Sequence, residues 1–212
     1  ILSNASQYMT KKPTLKDVKS VFAGLRPLAA QQGDSAETKE VSRHHKVNVS
    51  TSGLISVLGG KWTTYRKMGE DTVDVFTRIT GQAIPPSTTS KQQIHGYIET
   101  IPAGHWGIYG SDAQKIQALA VQDASLAELL HPTFPHILAE VVWACQYEMA
   151  LTVEDVLSRR TRMLILDPEA AVAAAEQVAI TMAKVLQKDE SWIASELINF
   201  NKIAEKYMIH TR

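Results

Sequence analysis

The proline pair Pro85-Pro86 divides this sequence between two hydrophobic periods, and that division constrains the fold more than any other feature. Before it, short β-like runs mix with helical spacing. After it, the apolar residues recur almost entirely at helical intervals. His45 to Ser50 alternates Val47 and Val49 against polar neighbours, and Ile55, Val57 and Leu58 make a second short run of strand character. Val18 to Leu28 also alternates, and it closes at Pro27, which restricts Arg26 to extended backbone. Ala29 to Lys39 is polar and reads as a loop. From Thr63, the residues Tyr65, Met68, Thr72, Val75, Phe76 and Ile79 fall on one helical face that Gly81 can terminate.

The second part is punctuated by helix starts. Residues 84–110 are rich in Pro, Ser, Thr and Gly, which suggests a packed crossing segment. Ser111-Asp-Ala-Gln114 and Thr152-Val-Glu-Asp155 have the spacing of capping boxes, and Asp167-Pro168-Glu169 places proline at a first helical position. Asp189 precedes a last amphipathic helix carrying Trp192, Ile193, Leu197, Ile198, Ile203 and Met208. The expected class is α+β and mostly helical. Residues 1–82 form a piece with few strands, 83–110 a crossing and 111–212 an all-α domain. The chain opens at Ile1 inside a helical pattern, so it reads as part of a longer protein.

Composition removes several functional classes. Lys plus Arg and Asp plus Glu each number 22, so general attraction to nucleic acid or to an anionic membrane is not expected. No apolar stretch reaches the length of a membrane span and no signal peptide opens the chain, which reads as cytoplasmic. The single cysteine, Cys145, sits in an apolar helical pattern and fits a buried thiol in a reducing compartment.

Chemistry concentrates at Leu54-Ile-Ser-Val-Leu-Gly-Gly-Lys-Trp-Thr-Thr-Tyr-Arg66, where a strand runs directly into a helix. Gly59 and Gly60 permit a sharp turn, while Lys61, Thr63, Thr64 and the free amides of a first helical turn suit a phosphate or an electron-rich ring edge. An ordinary strand-to-helix turn capped by Thr63 is the alternative. A Walker A loop is excluded, because Ile55 stands where its first glycine would be and Trp62 where its metal-binding hydroxyl would be. A Gly-x-Gly-x-x-Gly fingerprint is absent. Arg26, Arg43 and Lys61 stand at strand ends or turns and could together hold a phosphate dianion. Arg159, Arg160 and Arg162 form the densest basic cluster and would suit either a helix C-terminus or docking of a partner. No metal is expected, since His95, His105, His131 and His136 show no pair at ligand spacing backed by Asp, Glu or Cys.

Ala23-Gly-Leu-Arg-Pro-Leu28, Ser42-Arg43-His44 and Ser56 to Lys67, in this order and at these intervals, resemble the FAD-dependent glycerol-3-phosphate dehydrogenases. Thr152-Val-Glu-Asp-Val-Leu-Ser-Arg-Arg-Thr-Arg162 resembles the helical cap domain of that family. The resemblance covers nearly the whole chain and only the C-terminal part of the family's length. It implies a piece of a flavin and substrate domain followed by the cap, in a flavoprotein that oxidises sn-glycerol 3-phosphate to dihydroxyacetone phosphate. Electrons would pass through FAD to quinone or oxygen. By the same resemblance Arg26, Arg43 and Lys61 belong to the substrate pocket, with Lys61 also able to stabilise a developing alkoxide. Gly59, Gly60, Lys61, Thr63 and Thr64 would line the flavin ring. A peripheral membrane contact on the inner face and a homo-oligomer are compatible with it. The fragment alone is expected to be inactive, and a helical interaction module docking through Arg159, Arg160 and Arg162 is the competing function.

Overall fold

The chain divides at residues 23/24 and 95/96 into a small unit and a larger helical one. A computed structural model describes residues 1–25 and 44–209.

The helical unit combines Ile1–Ala23 with the chain from Gly96 onward. Helix α1 is a single turn, Leu2–Ala5, shorter than the opening helix expected. Residues 18–23 are irregular and do not form the strand expected over Val18–Leu28, whose last three residues lie outside the described residues. The reason is tertiary. The Val21 N–H donates to the Tyr207 carbonyl at 2.9 Å and Phe22 packs on the Tyr207 ring, so this stretch finds no strand to pair with.

The small unit begins, among the described residues, with a hairpin. Strands β1 (Lys46–Val49) and β2 (Ile55–Leu58) pair antiparallel, with Val47 opposite Val57. Gly59 and Gly60 follow at φ 71° and 83°. Helix α2 (Tyr65–Thr80) enters through a 3₁₀ turn at Trp62–Thr64 and stops at Gly81, whose left-handed backbone (φ 68°) donates its N–H to the Thr77 carbonyl. None of the α2 residues is fully buried. An open groove of about 990 Å³ runs between α2 and residues 84–95 and includes Tyr65, Val73, Ile84 and Ile94.

In the helical unit, a 3₁₀ segment (Gly104–Asp112) leads into α3 (Ala113–Gln122). Here Asp112, not Ser111, holds the N-cap position and makes no side-chain cap bond. The Ser111 N–H is used elsewhere, on the Gly96 carbonyl at 3.0 Å. Helix α4 (Leu138–Tyr147) follows, then a π-helical turn at Asp155–Arg160, α5 (Met163–Leu166), α6 (Pro168–Leu186) and α7 (Glu190–Ala204).

Helix α6 is the centre of this unit and packs on α4, α5 and α7. Its buried side is mostly alanine: Ala171, Ala174, Ala175 and Ala179, with Val178 and Met182 at the same spacing. Small side chains let neighbouring helices approach closely. The larger residues Val141, Val153, Leu157, Met163, Leu164 and Phe200 then complete one continuous core. Asp167 accepts the Ala170 N–H at 3.2 Å and Asp189 the Trp192 N–H at 2.9 Å, so two of the predicted helix starts are real caps. Cys145 lies in the core, and burial pushes its thiol up to about 11. Among the described residues, no helix is long and apolar enough to cross a membrane.

The Thr152 box also forms. Asp155 accepts the N–H groups of Leu151 and Thr152, each at 3.0 Å, and donates its own N–H to the Thr152 hydroxyl at 3.1 Å. Burial alone would raise the Asp155 pKa, but these donors and the Arg159 charge outweigh it and hold it below 3.8. Its stabilisation is therefore complete above pH 3.8 and disappears as pH falls through the lower folded value. Asp155→Asn should cost about 1 kcal/mol at neutral pH in urea unfolding. The gap between variant and parent should close on acidification below that range, and a gap independent of pH would contradict the assignment.

Gly110 provides a second test. Its φ is 54°, and a Cβ there would stand 1.9 Å from the Gly96 carbonyl oxygen; Gly104 also has positive φ (66°), but a Cβ there meets nothing within 4 Å. Gly104→Ala should cost about 1 kcal/mol of unfolding free energy for its backbone alone. Gly110→Ala should cost at least ~3 kcal/mol. Equal losses at the two positions would show that the collision is relieved.

Candidate functional site

The strand-to-helix turn is built as its sequence predicts. β2 delivers the chain to Gly59, two successive positive-φ residues reverse it, and Lys61 takes the N-cap position of the 3₁₀ turn in extended backbone. The Lys61 N–H approaches the Thr64 hydroxyl at 3.4 Å, and that hydroxyl donates back to the Lys61 carbonyl at 2.9 Å. Thr64 thus closes the turn, and Thr63, the cap in the alternative reading of this stretch, does not. The amides opening a helical turn have no intrahelical partner and face an anion favourably. Lys61, Thr63 and Thr64 are exposed, and Lys61 has no ion-pair partner among the described residues.

The Gly60 requirement has an internal cause. A Cβ at this position would meet Met68 Sδ at 2.7 Å and His45 Cβ at 3.1 Å, so the start of α2 and the base of β1 close over it. Beneath the turn, His45 Nε2 and Asp71 Oδ2 are 2.8 Å apart, and Lys67 pairs with Asp71 at 2.9 Å and with Glu70 at 2.7 Å. Arg66 pairs with Glu70 and donates to the Thr89 hydroxyl at 3.2 Å. The hydrogen bonds from Lys67 and His45 keep the Asp71 carboxyl below its ordinary range. These bonds occupy Arg66 and Lys67, leaving Lys61 as the cation presented at the turn. Arg26 and Arg43 lie outside the described residues. The larger groove along α2 does not include Gly59, Gly60 or Lys61.

The basic cluster is not a free face. Arg159 is held by Glu154 and Asp155, each at 3.0 Å, and Arg160 by Glu148 at 3.1 Å together with the Glu148 carbonyl. Arg162 is the member without such a pair among the described residues, and it adopts left-handed backbone (φ 59°) where the π turn ends. The Thr161 N–H bonds to the Val156 carbonyl at 2.9 Å, the wide closure that defines that turn.

A cluster that sequence reasoning missed lies inside the helical unit. Glu140, in the first turn of α4, is buried and accepts from the Tyr109 hydroxyl at 2.8 Å and the Ile137 N–H at 2.7 Å, and its Oε1 is hydrogen-bonded to His136 Nδ1 at 2.8 Å. His105 Nε2 lies 3.4 Å from Glu140 Oε2 without hydrogen-bond geometry, and is buried without a partner. Burial raises the Glu140 pKa, but the His136 bond and charge, the Ile137 N–H and the Tyr109 hydroxyl prevail and hold it below the usual carboxylate range. Burial and the Glu140 charge push the Tyr109 pKa up, which keeps its proton in place as a donor. The three side chains His105, His136 and Glu140 thus converge, contrary to the expectation of no backed histidine pair. The i, i+4 spacing of His136 and Glu140 was the available signal.

Residues 59–192 match the family of the C-terminal domain of alpha-glycerophosphate oxidase. Glycerol-3-phosphate dehydrogenase 2 of Mycobacterium bovis is 33% identical over 219 residues, covering 94% of this chain and 37% of that protein. The mitochondrial glycerol-3-phosphate dehydrogenase of Bos taurus is 33% identical over 220 residues, 93% of this chain and 30% of its own length. The mitochondrial enzyme of that name from Arabidopsis thaliana is 31% identical over 240 residues, 98% of this chain and 38% of its own. The chain spans about a third of the length of these curated relatives. On this similarity, carried by the turn after β2 and by the helices that follow, the chain belongs to the glycerol-3-phosphate oxidase and dehydrogenase family and contains its C-terminal domain.

Proposed function

We propose that this chain is the C-terminal part of an FAD-dependent enzyme that oxidises sn-glycerol 3-phosphate to dihydroxyacetone phosphate. The observation that carries the reading is the exposed Lys61 at the head of a 3₁₀ turn, directly after two glycines at φ 71° and 83°. FAD, when bound, accepts the hydride from the substrate carbon. Gly59, Gly60, Lys61, Thr63 and Thr64 would hold its ring end, with the amides and the positive end of α2 stabilising negative charge there. The fit is consistent, since the turn keeps its shape through Gly60, Met68 and the Thr64 bonds without help from a ligand.

Lys61 has a second role in this reading. Its ammonium would face both cofactor and substrate, where it could pair with the phosphate or lower the energy of a developing alkoxide. Arg26 and Arg43 supply the paired N–H donors that a phosphate dianion prefers. The remaining FAD contacts belong to the rest of the polypeptide, so the isolated chain is inactive. Electrons leave to quinone or oxygen, and the complete protein works in the cytoplasm or at the inner face of the membrane.

The pairing of Arg159 and Arg160 with Glu154, Asp155 and Glu148 argues against the alternative of a docking module built on three free arginines. In the complete enzyme, Lys61→Ala should lower kcat/KM for glycerol 3-phosphate about 30-fold, the equivalent of one charge-assisted contact of about 2 kcal/mol. Steady-state kinetics at matched flavin content measure this. Unchanged kcat/KM would remove Lys61 from the site.

A further inference from the structure

We propose that His105, His136 and Glu140 form a three-ligand site for a divalent cation of the zinc class, with its fourth coordination position open to the neighbouring cleft. The donor atoms lie within 4.8 Å of one another. His105 comes from the 3₁₀ segment at Gly104–Asp112, whereas His136 and Glu140 flank the start of α4.

Two observations point to a ligand. The first is His105 Nε2, a buried imidazole nitrogen that has lost its solvation without gaining a hydrogen bond. The second is spacing. Donors bound tetrahedrally at zinc distances stand about 3.4 Å apart, and His105 Nε2 stands 3.4 Å from Glu140 Oε2. The His136 contact, at 2.8 Å, is a hydrogen bond that the cation would replace, displacing the proton of that bond.

The surroundings support these donors as they would a metal's ligands. The Tyr109 hydroxyl and the Ile137 N–H already fix both carboxylate oxygens of Glu140, the usual outer support of a ligating carboxylate. His105 and His136 also line a cleft of about 350 Å³, together with Tyr109 and the arginines of the π turn. That opening is wide enough for a water or a small anion to complete the coordination. Two imidazoles and one carboxylate select zinc or a similar borderline ion over calcium or magnesium, which prefer oxygen. The inference rests on the helical unit alone and is independent of the flavin reading.

Chelator-treated 212-residue chain is titrated with Co²⁺ and, in competition with a chromophoric chelator, with Zn²⁺. One ion per chain and the intense visible bands of four-coordinate cobalt are expected. His105→Ala is the informative variant, because its free nitrogen makes no hydrogen bond whose loss would unfold the protein. It should weaken Zn²⁺ binding by at least about 100-fold, beyond the range known for outer-shell losses. His131→Ala, at a histidine bonded to Thr133, should leave affinity unchanged. Circular dichroism confirms folding of each variant. Failure of the parent chain to compete for Zn²⁺, or equal binding by parent and His105→Ala, overturns the site.

Discussion

The buried carboxylate of Glu140 is the constraint on which the helical unit's architecture turns. It is placed in the first turn of α4, where it satisfies the Ile137 N–H, and it also accepts the Tyr109 hydroxyl from a segment 31 residues earlier. A charge held in so apolar a place is tolerable only with several donors. Those donors tie the 3₁₀ segment, the residues before α4 and α4 itself into one arrangement. Tyr109, Ile116, Ala139 and Trp143 then pack into a small apolar cluster of their own, beside the large core around α6.

The two units differ in how they gain stability. The helical unit buries a long series of side chains from Leu130 to Ala204, with α6 offering alanine where helices must come close. The small unit has exposed Trp62, Tyr65, Val73, Phe76 and Ile79 on or beside α2. Its local order comes from the hairpin and the close approach of Gly60 to Met68, with the ion pairs of Arg66, Lys67 and His45 as additions at its surface. Exposed ion pairs of this kind contribute little. A unit with so much uncovered apolar surface agrees with a chain that covers about a third of its relatives' length.

Local chemistry was legible in the sequence wherever a few adjacent residues decide the outcome. Asp167-Pro168, Asp189, Thr152 with Asp155, and Gly81 all act through the backbone within a turn, and each does what its position predicts. The two short strands and the Gly59-Gly60 reversal were legible for the same reason, whereas the pairing of the strands as a hairpin was not. Val18 to Ala23 was not, because alternation cannot reveal that Tyr207, far along the chain, offers a single carbonyl where a strand would need a partner. Ser111 failed likewise, its N–H being claimed by Gly96. Of the buried cluster, the His136 and Glu140 pairing was readable from spacing. His105 and Tyr109 joined it only through folding. The residues adjacent to them in the sequence do not mark that contact.

The meeting of Gly96 and Gly110 has a consequence for how such sequences can diverge in length. The Gly96 carbonyl receives the Ser111 N–H while Gly110 passes so near that no side chain fits, which pins both ends of the intervening loop. An insertion or deletion inside that loop must either be absorbed within it or break the pin. Residues 83–95, outside the pinned loop, carry no such restriction. Length variation among relatives should therefore accumulate ahead of Gly96.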